Sequence, residues 1–188
     1  MEIFDICDEN GMPTGRTVPR ETAHRDGVLH RTAHLWILRR GPDGTEALLQ
    51  KRSRNKDSYP GMYDTSSAGH IPAGCGPRES ALRELREELG VSAGPDELGY
   101  IGSFRVKYEA EFHNAPFRDN EFVFVYVLRR HVELSDITVQ PEEIETVRWF
   151  PFDEVYDECR RGQRGRFCMP LEELEVLKEY LEGKECPC

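Results

Sequence analysis

The run from Gly69 to Val91, GHIPAGCGPRESALRELREELGV, constrains the fold more than any other part of the chain. Glycine and proline crowd its first half, and its second half reads as a helix. Pro77 suits a first helical turn, Glu79 favours the positive end of the helix, and Gly90 can take the left-handed conformation that stops it. At about 100° per residue, Glu84, Glu87 and Glu88 fall on one face, opposite Leu82, Leu85 and Leu89. Three carboxylates together repel one another until a cation joins them. Oxygen ligands of this kind suit a hard divalent ion such as Mg2+, which commonly shares its coordination with substrate phosphates. The order strand, glycine loop, acidic helix therefore points to a metal-dependent site for a phosphorylated substrate. The plain alternative is a solvated acidic helix face.

The rest of the chain is compatible with one enzyme domain spanning residues 1–188, long enough to bury a core. Hydrophobic residues make up 38% and mean hydropathy is −0.65, and no apolar run approaches the ~20 residues of a membrane-spanning helix. The first residues lack the basic and apolar regions of a secretory leader. A cytoplasmic protein without a membrane partner is the expectation. With 35 acidic against 25 basic residues the net charge is −10, which disfavours nucleic acid as a partner and leaves a small phosphorylated substrate. Cys7, Cys75, Cys159, Cys168, Cys186 and Cys188 show no paired spacing, so free thiols are expected, with Cys186-Pro187-Cys188 a weak metal motif. Nothing in the sequence fixes an oligomeric state.

Strand and helix signals alternate along the chain. Ile3 to Cys7 and Thr14 to Val18 read as a hairpin around the turn at Asp8-Glu9-Asn10-Gly11. Leu35 to Leu38 and Ala47 to Gln50 flank a second turn at Gly41-Pro42-Asp43-Gly44. FVFVYVL, from Phe122 to Leu128, is apolar on both faces, as in a strand covered on both sides. Pro151 and Asp153 open a helix, and leucines at helical spacing mark another over about residues 170–182. The expectation is an α/β fold, an α/β/α sandwich around a mixed β-sheet.

The Gly69–Val91 segment resembles the Nudix box, with Gly69, Arg83, Glu84, Leu85, Glu87, Glu88, Gly90 and Val91 in register. The resemblance implies the sandwich fold and a Mg2+-dependent (or Mn2+-dependent) hydrolase in which Glu84, Glu87 and Glu88 hold the metal and carry catalysis. Glu88 is the first choice for the base that takes the proton of water, with Glu142 or Glu143 as rivals. Cys75 departs from the pattern, standing where the family has a glutamate that pairs with the box arginine. Glu79, four residues before Arg83, is a candidate substitute for that partner.

Outside the box, His24, His30-Arg31-Thr32-Ala33-His34-Leu35-Trp36, Gln50 to Lys56, Tyr59 to Asp64 and Ala68-Gly69-His70 resemble the isopentenyl-diphosphate isomerase branch of the Nudix superfamily. That resemblance implies a second metal site built from His30, His70, Glu121, Asp119 and His24, the last aligned only with a one-residue gap. Imidazole mixed with carboxylate favours Zn2+ or Mn2+ over Mg2+. It also implies diphosphate binding by Arg52 and Lys56, with Arg83 a third substrate-binding candidate. The basic cluster Arg160 to Arg166 reads as a surface feature. The isomerase has a proton-carrying cysteine where this chain has Ala68, and a transposition needing protons on both faces of a double bond cannot proceed with one carrier. The expectation is cleavage of a diphosphate bond in a small organic or nucleoside diphosphate. Isopentenyl-diphosphate isomerase activity and a non-catalytic Nudix-fold ligand-binding protein are the alternatives.

Overall fold

The computed structural model describes residues 2–56, 58–112, 115–162 and 165–183; Cys186-Pro187-Cys188 and Arg164 lie outside them. A separate hairpin, β1 (Ile3–Cys7) and β2 (Pro13–Pro19), comes first, followed by the short helix α1 (Arg20–Asp26). The main sheet has seven strands. They are β3 (His30–Gly41), β4 (Gly44–Arg52), β5 (Tyr63–Asp64), β6 (Ser67–His70), β7 (Leu98–Phe112), β8 (Ala115–Leu128) and β9 (Ile144–Pro151). Helix α2 (Pro77–Leu89) follows β6, and α3 (Phe152–Arg160) and α4 (Leu171–Leu181) close the described chain.

The sheet is mixed because β3 and β8 run parallel, with Glu121 beside His30 and Leu128 beside Ile37, while the other pairings are antiparallel. β3 changes partners along its length. Its first half pairs with β6, Thr32 against His70 and Leu35 against Ser67, and its last residues pair with β4, Leu38 against Ala47. The sheet therefore splits between β6 and β4, and a strand that belongs to both halves runs along the floor of the split.

Two cores sandwich the sheet. On one face Ala81, Leu85 and Leu89 of α2 pack with Ala33, Leu35, Ile37, Leu48 and Tyr126. On the other, Val155 of α3 and Leu174 and Leu177 of α4 pack with Trp36, Leu49, Val123, Val125 and Phe150. β8 supplies side chains to both faces, as its apolar run predicts. The expected α/β/α architecture is thus present, with hairpins and terminal helices at the sequence-derived places. The sequence reading missed α1 and the length of the β7–β8 ribbon, which pairs without a break from Lys107 opposite Asn120 to Phe112 opposite Ala115.

Leu85 is fully buried at the centre of the α2 interface. Truncation to alanine deletes three buried carbons and leaves a cavity under the helix, a change that costs about 2–5 kcal/mol. Urea denaturation of Leu85→Ala is expected to show that loss, and a cost under about 1 kcal/mol would mean that α2 is not seated as described.

Candidate active site and metal centre

Strand β6 organises the site, because consecutive side chains of a strand point to opposite faces. Ser67 and Gly69 face α2, whereas Ala68 and His70 face away from it, Ala68 beside His34 and His70 beside Thr32 in the β3 register. Two sets of side chains of the types that can ligate a metal consequently flank a single strand.

On the α2 side, Glu88 is 4% exposed, and its Oε2 accepts hydrogen bonds from Ser67 Oγ at 2.7 Å and from the Ala68 N–H at 3.1 Å. Its Oε1 has no hydrogen-bond partner among the described residues. Glu84 lies against Gly69 so closely that a Cβ there would stand 2.2 Å from its carboxyl carbon. The absence of a side chain at residue 69 is what admits the carboxylate. Burial, followed by the charge on the neighbouring glutamate, raises Glu84 to about 7. Burial raises Glu88 to about 7 as well, against the lowering effects of Ser67 and Lys56. Glu87 departs from the expected face: it is exposed and pairs with Arg83 at 3.2 Å. Helical geometry explains the difference, since Glu88 falls only about 60° around the helix from Leu85 and so enters the buried stripe.

On the other side of β6, five side chains from α1, β3, β6 and β8 converge. Ligand atoms of His24, His30 and His70 lie within 4.8 Å of one another, and so do those of His30, Asp119 and Glu121. Glu121 Oε1 is 3.3 Å from His70 Nε2 and 3.5 Å from His30 Nε2, and Asp119 Oδ1 is 3.5 Å from His24 Nδ1. Phe4 stacks on His30 and His70 at ring separations of 4.9 and 4.5 Å, which fixes both imidazoles. His24, the member that needed a gap in the sequence register, belongs to the cluster. Burial and the two other imidazoles push His24 down to about 3. Burial and the adjacent Glu121 push Asp119 up to about 8, while His30 and His70 outweigh burial and hold Glu121 well below the usual carboxylate range. Among the described residues, His24 Nδ1, His30 Nε2 and Asp119 Oδ1 are buried without a hydrogen-bond partner. Buried polar atoms are ordinarily satisfied, so three orphans aimed into one cluster of nitrogen and oxygen donors fit a divalent cation with affinity for imidazole.

The cations expected to bind phosphate are already engaged. Arg52, at the end of β4, reaches Asp64 at 2.9 Å and the Ser58 carbonyl at 3.0 Å, and Lys56 is paired with Glu143. Arg83 donates to Glu84 at 2.6 Å and to the His70 carbonyl at 3.1 Å. Among the described residues it makes no ion pair with Glu79, so the expected substitute for the box glutamate is not the one used. Support for the glycine loop comes from β1 instead. Asp5 Oδ2 accepts the Gly74 N–H at 2.9 Å and the Arg31 guanidinium at 2.8 Å, and Arg31 in turn donates to the Cys75 carbonyl at 3.2 Å. No local sequence signal marks this bridge, because its members lie 69, 26 and 44 residues apart.

A mixed sandwich in which a glycine-containing strand feeds an acidic helix is the Nudix architecture, and comparison with known proteins agrees. The family model described as NUDIX domain matches residues 28–169, well over half of the sequence. The chain belongs to the Nudix family. It is 41% identical over 155 residues to Nudix hydrolase 3 of Arabidopsis thaliana, a match covering 81% of this chain and only 20% of that protein. An uncharacterized Nudix hydrolase of Clostridium acetobutylicum is 38% identical over 154 residues, with 82% of this chain and 72% of the relative covered. An isopentenyl-diphosphate Delta-isomerase of Dinoroseobacter shibae is 27% identical over 146 residues, covering 78% of this chain and 77% of the isomerase. A crystal structure of a Deinococcus radiodurans protein superposes with a TM-score of 0.68 at 21% identity, over 95% of this chain and 99% of that one.

The raised carboxylates make stability depend on pH in a defined direction. Glu84 and Glu88 titrate near 7 when folded and near 4.5 when free, so between those values the folded state binds more protons than the unfolded one. Their stabilising contribution is complete below about pH 4.5 and is lost as pH rises through about 7. In EDTA, the wild type should lose thermal stability across this window relative to the Glu84→Gln/Glu88→Gln double variant. Parallel curves for the two proteins would remove these groups from the titration.

Proposed function

We propose that the protein is a divalent-cation-dependent hydrolase that cleaves a diphosphate bond in a small organic or nucleoside diphosphate. The observation that carries this reading is the carboxylate pair of half-buried Glu84 and buried Glu88, pressed against Gly69 and Ala68 where the sheet splits. Two nearby anions that burial and mutual repulsion push toward protonation are poised to accept a cation. A divalent cation such as Mg2+ or Mn2+ held there would supply charge neutralisation for phosphoryl oxygens and acidify the attacking water. Glu84, Glu88 and the exposed Glu87 are the residues that would hold it.

The chain itself supplies a proton acceptor and a cradle. One oxygen of Glu88 is held by Ser67 and Ala68, which leaves Oε1 to take a proton from the attacking water. Glu143, tied to Lys56, is the rival base. Arg52 and Lys56 bind the diphosphate only by sharing or exchanging their present carboxylate partners, and Arg83 orients Glu84 as well as adding charge. The isomerase alternative lacks a proton carrier at Ala68. A glycine loop loosened at Cys75 would favour the non-catalytic alternative, and the Asp5–Arg31 bridge to Gly74 and Cys75 speaks against it. The free thiols of Cys7, Cys75, Cys159 and Cys168 and the absence of any membrane-spanning helix among the described residues accord with a cytoplasmic setting.

Product analysis with Mg2+ tests the assignment: two phosphomonoesters are expected from a nucleoside diphosphate-linked compound, and a monophosphate with inorganic phosphate from an isoprenyl diphosphate. Glu88→Gln is expected to lower kcat by at least ~100-fold, the scale of a lost general base. Turnover unchanged by that substitution would move the chemistry elsewhere.

We further propose that His24, His30, His70, Asp119 and Glu121 hold a second, tighter Zn2+ or Mn2+ ion. The three orphaned buried atoms support it. Elemental analysis after dialysis should find a transition metal in the wild type and lose it in His70→Ala. Equal sub-stoichiometric metal in both proteins would reduce the cluster to a hydrogen-bonding network.

A further inference from the structure

His34 and Glu173 form a buried dyad on the face of the sheet away from α2. Glu173, on α4, is fully buried, and both of its carboxylate oxygens are engaged: Oε2 with His34 Nδ1 and Oε1 with Trp36 Nε1, each at 3.0 Å. The carboxylate thereby fixes the imidazole, with Nδ1 turned toward Glu173 and Nε2 turned away. Among the described residues Nε2 makes no hydrogen bond and is the unengaged end of the imidazole. The His34 side chain keeps 14% exposure while its partner keeps none.

The neighbours of that nitrogen place it on the sheet face between β6 and β8, one strand from the Ala68 N–H that binds Glu88. Ala68 is the cross-strand neighbour of His34 on one side and Val125 on the other, and Phe104 stands edge-on with its ring centre 6.3 Å away. One step along the same face, Thr32 Oγ1 donates to Glu121 Oε2 at 3.2 Å, so the histidine cluster lies next along β3. The side chains of Ala68, Val125 and Phe104 offer Nε2 no polar partner, so it is a polar group set among small and apolar side chains. Burial disfavours a charge on His34, but Glu173 outweighs it and raises the imidazole to about 9, so Nε2 carries a proton at neutral pH.

We propose that His34 is a specificity-determining residue, donating a hydrogen bond from Nε2 to an oxygen on the organic portion of the substrate. The substrate class is then one with a hydroxyl- or phosphoryl-bearing group at this position, and isoprenyl chains are rejected. The inference rests on the hydrolase reading and adds the discrimination between substrates. An apolar chain laid over Nε2 would strip water from a charged donor and return no acceptor, a mismatch that sites built to hydrogen-bond a substrate penalise by orders of magnitude. Ala68 contributes by lacking a side chain long enough to cover the imidazole.

Three probes separate the possibilities: ADP-ribose for hydroxyls, ATP for additional phosphates, and dimethylallyl diphosphate for an apolar chain. Calorimetric affinities would be measured with Mg2+ and non-hydrolysable methylene-bridged analogues of the three probes, which isolates binding from turnover, with and without His34→Leu. His34→Leu is expected to weaken ADP-ribose or ATP at least ~10-fold and to leave dimethylallyl diphosphate unchanged or tighter. In the active enzyme the same substitution should raise KM for the polar substrate more than it lowers kcat. Glu173→Gln keeps an acceptor for Trp36 while removing the charge, and it should shift preference in the same direction, so a folding defect in either variant alone does not decide the matter. Equal weakening of all three probes, no change in any, or no binding of any overturns the assignment. Selective loss of a polar probe in a protein that hydrolyses none would preserve the role of His34 and defeat the hydrolase reading. Hydrolysis with unchanged preference in His34→Leu would do the reverse.

Discussion

The hydrogen bonds from Ser67 and Ala68 to the Glu88 carboxylate are the constraint on which the site depends. A buried carboxylate needs donors, and these two come from consecutive residues of one short strand. They lock the last turn of α2 to β6 and thereby fix the phase of the strand. Once Ser67 and Gly69 face the helix, alternation sends Ala68 and His70 to the opposite face. The box carboxylates and the imidazole cluster are therefore separated by one strand, and a shift of β6 by a single residue would exchange their positions.

Much of this was legible because its signals are local. The helix stop at Gly90 lies in the left-handed region, with φ of 69°, and the hairpin at residues 41–44 closes where the turn residues stand. The period of α2 identified the buried leucines, but a count of residues on a face could not tell that Glu88 would be buried and Glu87 exposed. That distinction depends on where β6 provides donors. The likeness to the isomerase branch brought His24, His30, His70, Asp119 and Glu121 together on paper, and the structure brings them together in space.

What the sequence hid is contact between distant segments. The Asp5–Arg31 bridge that steadies the glycine loop joins β1 to β3, and the Glu173 carboxylate that orients His34 arrives from 139 residues away. Glu173 looks, in sequence, like one of several acidic residues on a surface helix. Only the packing of α4 on Trp36 shows that it is enclosed. The same limit applies to Arg52 and Lys56, whose charges were readable and whose pairing with Asp64 and Glu143 was not.

Phe4 is fully buried against two imidazoles, and this gives the N-terminal hairpin a consequence for where the folding unit ends. The family-defining region runs from residue 28 to residue 169, yet Phe4, Asp5, His24 and Glu173 all fall outside it. A fragment cut at those limits would keep every box residue while unseating three supports at once. Arg31, 5% exposed, would lose its counterion; Trp36 would lose its acceptor; and the sheet face covered by Leu174 and Leu177 would lie open to solvent. Such a minimal fragment would contain the box carboxylates and lack the means to hold them still, so the boundary of the family motif and the boundary of the cooperative unit are different lines on this chain.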